Sequence, residues 1–269
     1  MVLYIIYILY KMHDLSFCCL SLIQQEISVN DANNKLIEGN LTLINQFINI
    51  KKSEILIIPK RKTLILDGKS NINNQGKINN YGSINNHNSI LNYDSLNNYG
   101  LIENNYIISN DFNYEQYGKI LNDGKINNKR TINNNECCIF TNNNIFENNA
   151  RITNNGGTIN NNYTGEIDNK KDGRIFNYDN GKLQNNGAIN NNGTIYNYIG
   201  AIVDNYSVIN NNETIVNSDF YMKTGGIINN KKDGLINNNV GAIIKNHYGT
   251  MNNKGIMNHC GIFEKSLAN

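Results

Sequence analysis

Between Ser70 and Asn134 one slot recurs at every sixth position. It holds Ile72, Ile78, Ile84, Ile90, Leu96, Ile102, Ile108, Ile120, Ile126 and Ile132, with Tyr114 between Ile108 and Ile120. Two residues later stands Asn: Asn74, Asn80, Asn86, Asn92, Asn98, Asn104, Asn110, Asn122, Asn128 and Asn134, with Gln116 as the one substitute. Two residues earlier Gly is frequent, as at Gly76, Gly82, Gly100, Gly118 and Gly124. A short fixed period restricts the fold before local propensities are weighed. Strand side chains alternate faces, so Gly76, Ile78 and Asn80 point one way and the residues between them the other. One unit buries a single large apolar side chain, too little to offset the entropy of ordering six residues. The units must therefore stack, with isoleucines in columns and Asn amides about 4.8 Å apart, close enough to bond along the stack. Gly is expected to permit tight corners.

Tyr81-Gly82, Tyr99-Gly100 and Tyr117-Gly118 lie three units apart. The spacing predicts a three-sided coil with these tyrosines stacked along one edge. The expected fold is all-β, a single-stranded parallel β-helix (β-solenoid) with coils of about 18–21 residues. After Asn134 the spacing loosens, with Ile139, Ile145, Ile152, Ile159, Ile167, Ile175 and Leu183 in the aliphatic slots. Asn keeps its place in most units, so the inward triplet persists while corners lengthen. The longest interval is DFYMKTGG at 219–226.

One elongated domain is expected. Residues 1–23 are an apolar segment, a cap, an atypical signal or an over-extended reading frame; the run Met1–Tyr10 is too short to span a bilayer as a helix. Residues 24–69 read as a strand-rich N-terminal cap, 70–264 as solenoid repeats and 265–269 as a tail. Asn dominates the composition, which in an aperiodic chain would signal disorder; the regular aliphatic positions argue against that.

The unit Ile78-Asn79-Asn80-Tyr81-Gly82-Ser83 resembles the hexapeptide repeat of left-handed β-helices, in which a small residue follows an aliphatic one by four positions. Runs such as GKINNYGSINN, GAINNNGTIYN and GLINNN are similar to Asn-rich Gly-x-Ile-x-Asn repeat proteins of amoeba-infecting giant viruses and of some bacterial surfaces. The likeness covers about residues 70–264. It implies a left-handed hexapeptide-type coil, although the longer corners after Asn134 leave a right-handed solenoid open. It also implies a structural or surface-display rod, adhesin-like or virion-associated, placed on a surface or secreted rather than cytoplasmic.

Two other function classes stay in view. Hexapeptide-repeat enzymes include acyltransferases and zinc enzymes, but His13, His87, His247 and His259 share no ligand spacing, and His259 occupies an Asn slot. Carboxylates are scattered singly rather than paired for acid–base work. The five cysteines, Cys18-Cys19, Cys137-Cys138 and Cys260, lack C-x-x-C spacing. No catalytic residue, metal or cofactor is therefore assigned. The alternative to a passive rod is a carbohydrate-binding module using Tyr81, Tyr99 and Tyr117, whose rings have an apolar body and a polar tip. A formal net charge of +2 gives no steering toward nucleic acid. Expected partners are a protein or glycan at the solenoid surface, with self-association through the C-terminal coil. Asn-x-Ser/Thr triplets begin at Asn40, Asn162, Asn192, Asn205 and Asn212.

Overall fold

A computed structural model describes residues 25–218 and 223–265. The segment 1–23, much of the interval 219–226 and the end of the tail lie outside the described residues. The chain winds through three parallel sheets of 12, 11 and 10 strands. Lys77–Asn80, Ser83–Asn86 and Ser89–Asn92 form one coil, one strand on each face. The next coil, Ser95–Asn98, Leu101–Asn104 and Ile107–Asn110, pairs with it in register, setting Ile78 beside Leu96, Ile84 beside Ile102 and Ile90 beside Ile108. The structure is a three-sided parallel β-solenoid. All ten aliphatic residues of the strict repeat are buried in one continuous core.

The inward asparagines complete each strand. Asn80 donates from Nδ2 to Asn98 Oδ1 at 2.7 Å and to the Leu101 carbonyl at 2.9 Å. Asn98 repeats this toward Asn122 Oδ1 (2.7 Å) and the Lys125 carbonyl (3.0 Å). Three such columns run up the stack, and each rung is fully or almost fully buried until the last coils. A buried polar group without a partner is costly, and the ladder gives each amide its acceptors. Each rung bonds the coil above at two points, one in its own column and one at the start of the following strand. It therefore holds the corner. Corner length is then free to vary: rungs are 18 residues apart at Asn80–Asn98 and 29 apart at Asn217–Asn246, a wider spread than the expected 18–21.

The repeat departs from its apparent register at one point. Asp111–Gln116, one whole six-residue unit, leaves the stack as a loop closed by an antiparallel bridge between Phe112 and Tyr117. Leu96 therefore pairs with Ile120, and Tyr114 is fully exposed. The cause lies in the unit's own residues. Tyr114 is too large and polar for the core slot, Phe112 replaces the small residue, and Gln116 is one methylene too long for the ladder. Tyr117 accordingly leaves the edge expected for it. A second correction concerns Ile139 and Ile145, which face outward, whereas Phe140 and Phe146 fill the core edge-to-face with centroids 4.9 Å apart. Asn142 and Asn148 fix that register by taking the rung two residues after each Phe.

Gly68, Gly156, Gly200 and Gly241 turn corners at positive φ, but Gly100 and Gly124 in the strict repeat have a different role. A Cβ on Gly100 would collide with the Gly82 carbonyl, and one on Gly124 with the Gly100 carbonyl. Neither residue lies at positive φ. Close approach of stacked coils, not the turn, excludes a side chain there.

The same three sheets already run through Leu41–Ile44, Gln46–Ile50, Ile55–Ile58 and Thr63–Asp67. In this first full coil Ile50, Ile58 and Leu66 stand where the next coil has Asn74, Asn80 and Asn86. Across the N-terminal end lies a helix not expected from the sequence, Val29–Glu38, capped by Ser28 and burying Val29, Ala32 and Leu36. Its Asn33 accepts from the Ile57 N–H and donates to the Ile55 carbonyl, both at 2.8 Å. One side chain thus satisfies the edge of Ile55–Ile58 that would otherwise be open. The opposite end has no such lid among the described residues. Thr250–Asn253, Ile256–His259 and Ile262–Lys265 are edge strands, and Met251, Met257 and Phe263 are only partly buried.

Two outcomes follow from this packing. Asn148→Leu, in mid-column, is expected to destabilise the coils around it by about 2–4 kcal/mol, through the acceptors and donors it leaves buried and unpaired. Asn127→Ala, outward on the same face, should change stability by about 0.5 kcal/mol or less. Hydrogen exchange resolved by coil would distinguish them. Deleting Asp111–Gln116 joins Asn110 to Tyr117-Gly118, reproducing the Asn80-Tyr81-Gly82 corner. The shortened chain should keep its melting temperature to within a few degrees in a thermal scan.

Candidate functional site

Among the described residues no three His, Cys, Asp or Glu side chains converge as a metal site. His13, Cys18 and Cys19 lie outside the described residues. Cys137 is exposed beside a buried Cys138, whose thiol is pushed up to about 11 chiefly by burial. A thiol so raised is a poor nucleophile at neutral pH. Cys260 is exposed and free. His259 ends one inward column, its Nδ1 facing Asn238 Nδ2 at 3.3 Å. The Nδ1 atom accepts when the ring proton sits on Nε2.

The outer surface carries a second set of amide ladders, and these run the other way. Asn258 donates to Asn237, Asn237 to Asn210, Asn210 to Asn190, and Asn190 to the Glu166 carboxylate, at 2.7–2.9 Å. Asn239, Asn212 and Asn192 form a similar run ending on Asp168. Shorter runs end on Glu103 through Asn149 and Asn127, on Asp123 through Asn162 and Asn143, and on Asp204 through Asn252 and Asn229. An ionised carboxylate only accepts. Placed at the lower-numbered end of each run, it points every N–H above it downward. Inward ladders point their N–H groups upward. The last described coil therefore presents an inner donor at Asn253 and outer carbonyl oxygens at Asn252 and Asn258. Single Asn and Asp positions carry no sign of this pairing, because it appears only once coils of unequal length are brought into register.

The aromatic positions do not form the expected platform. Tyr81 and Tyr99 stack with centroids 4.9 Å apart and planes 9° from parallel. Tyr117 instead packs on Phe112 at 6.4 Å in the extruded loop. On another face Phe176 and Tyr196 stack at 4.7 Å, with the Arg151 guanidinium over Phe176. Stacking along the column covers the ring faces and leaves edges outward. Tyr114 and Tyr163, both on corners, are the most exposed of the described tyrosines.

Asp204 is the most buried carboxylate of these outer runs. It receives Asn229 Nδ2 at 2.8 Å and Lys231 Nζ at 2.9 Å, with Lys182 at 3.5 Å. Burial alone would raise its carboxyl. The bonds from Asn229 and Lys231, with the charges of Lys231 and Lys182, outweigh that and hold it below the ordinary value. A depressed carboxyl contributes stability above its unfolded value, near pH 4, and loses it as the pH falls through the folded value. Asp204→Asn should therefore cost about 1–2 kcal/mol at pH 7. The difference from wild type should shrink below pH 4, as read from denaturant midpoints at the two pH values.

No protein-family model matches this chain, and no curated protein does. Among solved structures it is similar to the TibC-catalysed, hyper-glycosylated TibA fragment, at 13% identity and a TM-score of 0.35, over 91% of this chain and 92% of that one. That likeness is too distant to carry an argument.

Proposed function

We propose that the chain is a non-enzymatic structural rod that displays its corners, an adhesin-like or virion-associated component placed at a surface. The single observation carrying this reading is that the inward side chains serve the stack while the strand faces are tied into outer ladders. Little is left over for chemistry. The side chains that project furthest are at corners, Tyr114 and its hairpin, Tyr163 and Val240, while Ile44, Ile256 and Ile262 are the most exposed large apolar side chains on strands. A protein or glycan partner would meet these corners rather than the sheets. Among the described residues no helix is long and apolar enough to cross a membrane.

Among the described residues the last coil, 250–265, is the edge of all three sheets, and it is where such a rod would be joined. Its inner donor and outer acceptors suit a further coil of the same repeat. They do not suit a second copy meeting it tail to tail, because inner donor would then face inner donor. Head-to-tail stacking meets the helix Val29–Glu38.

Small-angle scattering should give an elongated particle whose stack is about 50 Å long. Acetyl-CoA turnover should be absent, and Tyr81→Ala with Tyr99→Ala should leave any glycan-array signal unchanged. Reproducible turnover would favour the hexapeptide-type enzyme, and glycan binding lost in the double variant would favour a carbohydrate-binding module. Immunogold labelling of the source cells or particles tests the placement at a surface.

A further inference from the structure

The five Asn-x-Ser/Thr triplets fall into two structural classes. Asn40 and Asn212 are exposed at corners, and Asn162 and Asn192 are half-buried in outer runs with solvent beside them. Asn205 belongs to an inward column and has no exposed surface. Its Nδ2 donates to the Ser207 carbonyl at 2.9 Å, to Asn230 Oδ1 at 2.8 Å and to the Leu235 carbonyl at 3.1 Å. Its Oδ1 accepts from Asn185 at 2.8 Å.

Asparagine-linked glycosylation would use that same nitrogen. A transferase joins Nδ2 to C1 of the sugar, breaks the bond from C1 to the diphosphate of a lipid-linked oligosaccharide donor, and releases the Nδ2 proton. The product has one N–H left where the corner uses its amide against three oxygens. It also carries a sugar ring where the next coil closes. Folding and glycosylation at Asn205 therefore exclude each other. The order of events decides between them. Asn230 and Leu235 lie 25 and 30 residues further along the chain, so the rung cannot close until they have been made. Asn205-Tyr206-Ser207 passes a co-translational transferase while still unfolded.

We infer that Asn205 is a glycosylation-sensitive rung, and that this chain is built to fold in a compartment without asparagine-linked oligosaccharide transfer. The inference rests on the buried rung alone and is independent of the rod reading. A surface-placed rod remains compatible with it, if the chain folds before export or assembles on a particle in the cytosol.

The test expresses the full chain in a eukaryotic cell, in the cytosol and behind a cleavable secretory leader, each with and without Ser207→Ala. That substitution removes the acceptor triplet and keeps both the Asn205 rung and the Ser207 backbone carbonyl. Readouts are glycopeptide mass spectrometry at Asn205 and the half-life toward thermolysin. Both cytosolic forms and the secreted variant should resist alike. Secreted wild type should carry the glycan on Asn205 and be digested roughly tenfold faster or more, as expected for a population held open. Secreted wild type as resistant as the cytosolic chain would overturn the inference, whether or not Asn205 is modified. So would a secreted Ser207→Ala form digested as fast as secreted wild type, because the fault would then lie elsewhere.

Discussion

The structure depends on a match between one side chain and one spacing. Adjacent strands in a sheet lie about 4.8 Å apart, and a primary amide can span that distance to an identical amide while keeping a second N–H for a backbone carbonyl. Asn alone does this here. Asp cannot donate, Gln is too long, and Ser has only one proton to give. Apolar columns alone would allow coils to slide or rotate on one another, since burial has no direction. Amide columns at the three corners remove that freedom. They also explain why corners from two to ten residues long coexist with strands that keep their register.

The periodic part of the fold was legible because its period is geometric: side chains two apart share a face, and one large apolar residue per unit cannot fold alone. Aliphatic positions were less reliable than asparagines. Ile139 and Ile145 were natural choices for the core on apolarity, but Asn142 and Asn148 select Phe140 and Phe146, because every rung from Asn74 to Asn253 is Asn while the core slot varies. Tyr114 kept perfect spacing in the sequence and still left the stack, since spacing says where a residue would sit and not whether it fits. The helix Val29–Glu38 was missed because its Asn-rich polar face resembles the repeat. Its signal was the spacing of Val29, Ala32 and Leu36 on one helical face, backed by a capping serine.

The surface was harder to read. Tyr81, Tyr99 and Tyr117 share an interval in the sequence, yet only the first two meet, because the extruded unit adds a step between Tyr99 and the next coil. The outer ladders depend on which residues coils of 18 to 29 residues bring side by side, and single spacings do not encode that. Their carboxylate ends nevertheless follow a simple rule. An acceptor with no protons sets the sense of a whole run, so Glu166 and Asp168 orient amides several coils away.

The extruded hairpin at Asp111–Gln116 sets a rule for how a chain of this kind can change in length. Duplicating three units adds a complete turn whose two surfaces repeat those already present, and nothing elsewhere needs to adjust. Duplicating one unit cannot close a triangle, so it is either expelled at a vertex or shifts every column beyond it. Growth therefore comes in quanta of a full circuit, and vertices collect the remainders. Novelty in such a lineage would accumulate at those vertices, while the prism between them stays conserved by arithmetic.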